Sequence, residues 1–387
     1  MSDLSSKIKK FISFTRELYQ TQEFIPLHEP RFVGNEKKYL NDAIDSSFVS
    51  SIGEYVNRFE EKMAEITGAK YAVAVVNGTA ALQVAMRLAG VERGDYVITT
   101  PLTFIATVNA MTYLGADPIF LDVDENNLGL DPRKLKEFLE EFCELRDGET
   151  FLKADGRRVS AIVPVHIFGH PCRIDEIVDV GNQFSVPVVE DSAESLGSFW
   201  KKKHTGTFGK LGVFSFNGNK VVTAGGGGAI VTNDEKLAKE AKFLTTTAKN
   251  AHSWEYVHDV LGYNYRMPNL NAALACAQLE QLPAYLENKK ITAMAYRDFF
   301  TAEGIPFLIE DENAKHNYWL NAVRLEGFEQ RELFLKMTNE AGVMTRPIWK
   351  LMSKLKPYRH SLTYELSVSE ILESQVVNIP SSVRIER

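Results

Sequence analysis

The sequence predicts an α/β protein, built on a mostly parallel sheet with helices on both faces and followed by a smaller α+β domain. Short apolar runs of four to six residues alternate with helical stretches from residue 70 onwards. Continuous apolar runs are typical of parallel strands buried on both faces. The alternation stops after Met267-Pro268. We therefore predict two domains in the 387-residue chain, 1–266 and 267–387.

The first elements are two helices. Residues 1–22 form an amphipathic pattern whose apolar positions, from Ile8 to Leu18, lean to one side. Pro26 follows this helix, and 35–46 is predicted as the second.

Seven strands are predicted in the sheet, and the last returns antiparallel after the glycine turn 225–228. The strands are Tyr71–Val76, Tyr96–Thr99, Pro118–Leu121, Ala161–Val165, Val186–Val189, Val213–Phe216 and Ala229–Thr232. The helices between them include Thr79–Ala89, Phe104–Leu114, Pro132–Glu144 and Ile174–Phe184. The smaller domain is predicted as a long helix from Asn271 towards residue 300, a strand at Trp319–Leu325, a helix near Arg331–Ala341 and a last helix before Pro380.

Composition excludes several function classes. The net charge of −7 and a pI near 5.7 argue against a nucleic-acid or anionic-membrane partner. The three cysteines (Cys143, Cys172 and Cys276) form neither a disulfide framework nor a Cys-x-x-Cys metal motif. The sequence has no signal-peptide core and no apolar stretch near the roughly 20 residues of a membrane span. We expect a cytoplasmic protein without a metal.

The most informative stretch joins Ser215 to Lys220, at the end of an apolar strand and just before the glycine turn. A lysine at a buried strand end loses hydration, which favours the neutral, nucleophilic amine. Such an amine can form a Schiff base with an aldehyde cofactor, while the serine hydroxyl donates to a phosphate. The alternative is an accidental surface spacing.

Other candidates lie at the carboxyl ends of strands, where doubly wound sheets bind ligands. Gly78 and Thr79 begin a helix whose N-terminus suits a phosphate, or else form a simple capped turn. Asp191 ends a strand, where a buried carboxylate is costly without a cation such as a protonated pyridine nitrogen. The alternative is a structural aspartate.

Three further residues follow strand ends. Phe104 can stack on a flat cofactor, although a core phenylalanine is the alternative. His166 and Glu194 can polarise ring oxygens or substrate groups, and a buried, satisfied histidine is the alternative for His166. No Gly-x-Gly-x-x-Gly follows the first strand, which argues against a nicotinamide-dependent oxidoreductase.

Six segments in family order resemble the DegT/StrS family of fold-type-I, pyridoxal 5′-phosphate (PLP)-dependent aminotransferases that act on nucleotide-linked keto sugars. The likeness covers residues from about 25 to 385. The segments are 77–82 (Asn-Gly-Thr-Ala-Ala-Leu), 103–107, 166–169 (His-Ile-Phe-Gly), 190–197 (Glu-Asp-Ser-Ala-Glu-Ser-Leu-Gly), 215–220 (Ser-Phe-Asn-Gly-Asn-Lys) and 262–267. The resemblance implies an aspartate-aminotransferase-like fold with a mostly parallel seven-stranded sheet.

The resemblance also implies roles for single residues. Lys220 would form the Schiff base (the aldimine with PLP) and move the proton at the cofactor's C4′ carbon, with the cofactor cycling through pyridoxamine 5′-phosphate. Asp191 would pair with the pyridine nitrogen and Phe104 would stack on the ring. Glu194 lies near the ring hydroxyl, where many family members have glutamine. The phosphate would be held by Gly78, Thr79 and Ser215, and by Asn264 of a neighbouring subunit, which implies a homodimer with shared active sites.

Four stretches (26–30, 34–37, 217–220 and 345–349) resemble a subgroup that acts on UDP-linked 4-keto-6-deoxy-N-acetylhexosamines, on routes to legionaminic acid or bacillosamine-type sugars. This implies amino transfer from an amino acid, L-glutamate, to give a 4-amino-4,6-dideoxy sugar for surface glycans. His166, Arg266 and Arg346 are the candidate substrate contacts. Arg346 is either a ligand of the nucleotide diphosphate or a structural arginine.

Three alternatives stay within this fold. One is an aminotransferase for 3-keto sugars, and another is a PLP-binding protein without catalysis. The third is a PLP-dependent sugar dehydratase, but those relatives have histidine at the position of Lys220.

Overall fold

The computed structural model describes residues 2–384, in which helices and strands alternate as predicted for an α/β protein. The α-helices are α1 (Ser2–Leu18), α2 (Glu36–Asp45), α3 (Glu54–Thr67), α4 (Gly78–Ala89), α5 (Ile105–Tyr113), α6 (Pro132–Phe142), α7 (Ile174–Gln183), α8 (Glu235–Thr245), α9 (Asn269–Glu303), α10 (Phe328–Glu340) and α11 (Ser367–Gln375). The strands are β1 (Tyr71–Val75), β2 (Tyr96–Thr99), β3 (Asp117–Leu121), β4 (Cys143–Arg146), β5 (Glu149–Leu152), β6 (Val159–Val163), β7 (Val189–Asp191), β8 (Phe199–Trp200), β9 (Lys203–His204), β10 (Leu211–Ser215), β11 (Gly228–Thr232), β12 (Ala314–Lys315), β13 (Asn321–Arg324), β14 (Arg346–Pro347), β15 (Leu362–Tyr364) and β16 (Val376–Ile379).

The seven predicted strands form one central sheet. Two four-stranded ladders, β1-β11-β10-β7 and β15-β3-β2-β6, are joined by parallel bridges from Ile162 to Val188 and from Val165 to Asp191. The pairs β10–β7, β6–β2 and β2–β3 are parallel, and β11 is antiparallel to both of its neighbours. The mostly parallel α/β sheet with an antiparallel return is therefore confirmed, and β15 from the C-terminal part extends its edge.

Helix α4 is almost entirely buried against the central sheet. Ten of its twelve residues are buried, and small side chains such as Ala81 and Ala85 let it pack closely against the central strands. Asn77 precedes it as the N-cap, accepting the N–H of Ala80 at 2.8 Å. The helix N-terminus is therefore fixed at the carboxyl end of β1, where the predicted phosphate site lies.

The N-terminal helix packs with the C-terminal part of the chain. The Phe11 ring centroid lies 5.2 Å from those of Phe300 and Phe334, and Ile25 bridges Val343. The predicted division at residue 266 groups α1 with the large sheet, whereas its apolar face completes the core formed by α9, α10 and the small sheet β13-β16-β14. An amphipathic pattern specifies which face is buried but not its partner.

Several elements differ from the predicted ones. The first helix ends at Leu18, and the helices Glu54–Thr67 and Glu235–Thr245 were not predicted. Lys201 and Lys202 form the tip of the β8–β9 hairpin. In the described part of the chain, the helices are too short or too polar for one of them to cross a bilayer.

Candidate active site

Lys220 lies in the turn after β10, and its amine faces a carboxylate and an aromatic ring. The Nζ atom is 3.4 Å from Glu194 Oε1 and 4.0 Å from the Trp319 ring centroid. The Trp319 indole N–H donates to Asn219 O at 2.6 Å, which holds the turn just before the lysine. Together with Ser215, these side chains line one crevice. The Lys220 side chain is 13 % exposed, and its amine is held at the predicted edge of the sheet.

Glu194 is a buried acid next to this amine. Its Oε2 accepts the N–H of Phe168 at 2.9 Å, while its backbone oxygen accepts Nδ2 of Asn317 at 2.7 Å. Burial raises the pKa of the Glu194 carboxyl to about 7, although the charge of Lys220 partly offsets this effect. Glu194 can therefore hold or release a proton near neutral pH beside the Lys220 amine.

We expect the cofactor-free Glu194→Gln protein to be more stable than wild type at pH 8. Because the folded-state pKa is raised above the ordinary value of 4.5, the wild type loses stability as pH rises from there towards about 7. Glutamine keeps the shape without the charge, and the gain should approach about 3 kcal/mol. Urea unfolding at pH 8 and pH 5 measures it, and an equal difference at both pH values would contradict the raised pKa.

Asp191, the last residue of β7, is a buried carboxylate held by neutral donors. Its Oδ2 accepts the Thr107 hydroxyl at 2.7 Å and its Oδ1 accepts the Ala193 N–H at 3.1 Å. Burial raises the pKa of Asp191, although these two donors and the charge of Lys220 oppose that effect. No ion pair within residues 2–384 neutralises it. A buried carboxylate of this kind suits a bound cation, such as a protonated pyridine nitrogen.

A cradle for an anion lies at the start of α4. A Cβ atom on Gly78 would lie only 2.9 Å from Cβ of Ser215, so the helix N-terminus and the end of β10 approach too closely for a larger residue. The first N–H groups, at Gly78 and Thr79, have no partner inside the helix and point out of its end. With the Ser215 hydroxyl beside them, they match a phosphate group.

Aromatic rings connect the start of α5 to Lys220. Phe104 is 53 % exposed, and its centroid lies 6.4 Å from that of Trp349. The ring centroid of Phe168 lies 5.0 Å from that of Trp349 and 6.5 Å from that of Trp319. Phe104 thus offers a free ring face at the same edge of the sheet as Asp191. An anion cradle, an unpaired carboxylate, a ring platform and an amine together fit PLP.

Two of the predicted substrate contacts are occupied within the protein. His166 is 0 % exposed; its Nε2 lies 3.1 Å from Glu190 Oε2, and its Nδ1 accepts the N–H of Cys172. The buried Arg266 donates to Glu60 Oε1 at 2.6 Å and to Ala74 O at 3.0 Å. Both side chains are therefore bonded within the core of the single chain, and their role as substrate contacts stays a prediction.

The other two distant candidates are on the surface. Arg346 is exposed in β14, and its Nη1 donates to Asn339 Oδ1 and Thr345 O within the smaller part of the chain. Asn264 is exposed at the end of a surface segment, bridged through its backbone to Thr246. The single chain brings neither side chain to Lys220, so their roles stay predictions.

Three residues of the site were not predicted individually. Thr107 holds Asp191, Trp319 contacts Lys220, and the N–H of Phe168 binds Glu194. A signal existed for Thr107, which lies four residues after Thr103, since a threonine in the first turn of a helix can bond to one just before that helix. The other two come from distant segments, so local spacing gave no signal for them.

Comparisons with known proteins point to one family of aminotransferases. A sequence model of the DegT/DnrJ/EryC1/StrS aminotransferase family matches residues 30–387. The GDP-perosamine synthase of Escherichia coli O157:H7 is 35% identical over 363 residues, covering 93% of each chain. The structure of DesI with its TDP-sugar product aligns with a TM-score of 0.82 at 28% identity, over 95% of this chain and 90% of that one. Spr1654 of Streptococcus pneumoniae, solved in PLP and PMP forms, shares the fold, with a TM-score of 0.84 and 23% identity over 94% of both chains for the PMP form.

Proposed function

Because the chain belongs to the DegT/DnrJ/EryC1/StrS aminotransferase family, we propose that it moves an amino group from L-glutamate to the keto carbon of a nucleotide-linked 4-keto-6-deoxy sugar. The chain is a PLP-dependent aminotransferase. The observation that supports the proposal most directly is the Lys220 amine, set between Glu194 and Trp319 at the edge of the sheet that carries Asp191.

When bound, PLP supplies the electron sink that stabilises negative charge on the reacting carbon. Lys220 would bind the cofactor covalently and then act as the base and acid that moves the proton at the reacting carbon. Asp191 would bind the ring nitrogen and keep it protonated, and Thr107 orients that carboxylate. Glu194 would hold the Lys220 amine in place and exchange a proton with it near neutral pH.

The acceptor sugar has two candidate nucleotides. The stretches at 26–30 and 345–349 support a UDP-linked N-acetylhexosamine, by their resemblance to that subgroup. The 35% identity to a GDP-perosamine synthase supports a GDP-linked sugar as the second candidate. The product in either case is a 4-amino-4,6-dideoxy sugar, a building block for surface glycans.

The proposal is tested one half-reaction at a time. We expect L-glutamate to convert the visible absorption band of the PLP enzyme to that of the pyridoxamine form. UDP-4-keto-6-deoxy-N-acetylglucosamine should then restore the band, while GDP-4-keto-6-deoxymannose restores it at least tenfold more slowly. The reverse order of rates would favour the second candidate, and a band that glutamate leaves unchanged would contradict glutamate as the donor.

A homodimer with shared sites is the second part of the proposal. Large apolar side chains are exposed in the segment that precedes Asn264 and just before α3, including Trp254 (78%), Leu261 (76%) and Ile52 (73%). Exposed apolar surface of this extent is typical of protein interfaces. Within the described chain, the phosphate cradle has no charged side chain bonded to it, so a polar group from a second copy would complete it.

Mixing two inactive variants tests this arrangement. Lys220→Ala removes the amine, and Asn264→Asp places a negative charge where the partner's phosphate would lie. If sites are shared, a mixed dimer contains one site with native Lys220 and native Asn264. We expect each variant alone to be nearly inactive and the refolded mixture to regain up to about a quarter of wild-type activity, since half the dimers are mixed and each has one native site. An inactive mixture would contradict sharing, and light scattering should give twice the 43.5 kDa chain mass.

A further inference from the structure

The segment from Ile25 to Glu29 runs along the smaller part of the chain and is hydrogen-bonded to it on both sides of His28. The N–H of Ser381 donates to Leu27 O at 2.7 Å, and the N–H of Glu29 donates to Ser382 Oγ at 3.0 Å. Its start is bridged to Val343. The position and direction of His28 are therefore set by the backbone rather than by its own side chain.

The imidazole of His28 has no partner. Both Nδ1 and Nε2 are shielded from solvent, and neither makes a hydrogen bond to any residue in 2–384. A buried polar group without a partner is costly, and native proteins rarely keep one without a reason. The ring carries one donor and one acceptor when neutral, so it is suited to a ligand with the complementary pair.

A chain of contacts connects the segment that carries His28 to the reaction centre. Lys289 is buried, and its Nζ donates to the backbone oxygens of Ser381, beside Leu27, and of Trp319, whose ring contacts Lys220. Burial lowers the pKa of His28 well below its ordinary value, and the charges of Lys289, Lys220 and Arg31 lower it further. The imidazole of His28 is therefore neutral at physiological pH, and the charge of Lys220 contributes to this effect.

We propose that His28 is a specificity-determining residue, whose ring nitrogens bind neutral hydrogen-bonding groups of the sugar substrate, among them a hydroxyl or an acetamido group. This inference rests on the proposed function. A carboxylate or a phosphate offers only acceptors, so it would leave the acceptor nitrogen of a neutral imidazole without a partner. The donor amino acid and the nucleotide diphosphate are therefore bound elsewhere, and the sugar ring is the part that His28 recognises.

A pair of buried histidines elsewhere in the chain provides the control. The buried rings of His170 and His316 lie 4.0 Å apart, and both nitrogens of His170 also lack a partner in the described chain. Burial alone lowers the pKa of His170 to about 4, without an effect from Lys220. His170→Phe thus removes an equally buried, unpartnered imidazole at a site that the proposal does not involve.

The test compares His28→Phe, which keeps the volume and loses both nitrogens, with His28→Gln, which keeps a donor and an acceptor. For the sugar substrate, we expect His28→Phe to raise KM about ten- to a hundredfold with kcat changed less than about threefold, and His28→Gln to recover most of the loss. His170→Phe should leave KM unchanged. Unchanged KM in His28→Phe, or an equal rise in His170→Phe, would overturn the proposal.

Binding to the holoenzyme identifies the group. UDP-N-acetylglucosamine and UDP-glucose lack the keto group and differ only in an acetamido or a hydroxyl group at C2, so calorimetry measures their Kd without turnover. Weaker binding of the first alone in His28→Phe assigns the acetamido group, and equal weakening of both assigns a hydroxyl. Unweakened binding of both overturns the inference while leaving the proposed function standing. Failure of the wild type to transaminate any keto-sugar nucleotide would remove the proposed function and this inference together.

Discussion

The Lys220→Ala variant should retain no more than about one ten-thousandth of wild-type amino transfer. Loss of a positioned acid–base alone costs about 10²–10⁴ in rate, and loss of the covalent attachment adds to it. Among residues 2–384, the buried lysine is Lys289, and it cannot replace Lys220 because its amine is bonded to the backbone oxygens of Trp319 and Ser381. The expected defect therefore lies in kcat and appears with every sugar acceptor.

Single-turnover absorbance with L-glutamate measures this effect, because it follows the donor half-reaction without a sugar. Added methylamine should restore part of the rate, since a free amine can enter the space left by the side chain and accept the proton. Lys354→Ala is a matched control, as that lysine bonds to Glu373 on the surface. Activity of Lys220→Ala within tenfold of wild type would contradict the proposed role.

The central sheet was predictable because its signal is local. Each strand is a short apolar run, such as Tyr96–Thr99. Because such a strand is buried on both faces, polar residues do not interrupt the run. Helix α3 was missed although Val56, Phe59 and Met63 share its buried face, a spacing that the sequence does show. The two-residue strand β12 could not be predicted, because it exists only through its pairing with β8, a segment far away in the sequence.

The site was predictable to the extent that strand ends specify it. Lys220 and Asp191 follow strands whose carboxyl ends meet, so the sheet topology alone brings them near each other. The direction in which a side chain points could not be predicted from the strand ends. His166 also follows a strand, yet its ring is buried and lies against Glu190. Trp319 lies 99 positions after Lys220, and tertiary packing alone places its ring against the amine.

The smaller part of the chain therefore completes the site. Trp319 and Asn317 come from the segment before β13, and they contact Lys220 and the backbone of Glu194. Lys289 on α9 fixes Trp319 to the C-terminal segment that positions His28. The large sheet thus supplies the groups that fit the cofactor, whereas the smaller part supplies the groups that fix and surround the reacting amine.

Asp191→Asn should lower kcat by about 10²–10³ and should affect stability in opposite directions with and without PLP. Asparagine still accepts the Thr107 hydroxyl, but its side chain carries no charge to keep a ring nitrogen protonated, and a preorganised electrostatic partner contributes about this much. Since burial raises the pKa of Asp191, the cofactor-free wild type loses stability as pH rises above the ordinary carboxyl pKa. The cofactor-free Asn protein should therefore unfold at a higher temperature at pH 8, with the difference vanishing at acid pH.

Thermal unfolding with and without PLP, beside the rate of the donor half-reaction, separates these effects. In wild type, PLP should raise Tm more than in Asp191→Asn, because the ring nitrogen and the carboxylate are opposite charges in a buried site. Thr107→Val is the matched control: it removes one hydrogen bond to Asp191 and keeps the charge, so its rate should fall only about tenfold. An equal rise in Tm with PLP for Asp191→Asn and wild type would contradict the proposal that the Asp191 carboxylate binds the ring nitrogen.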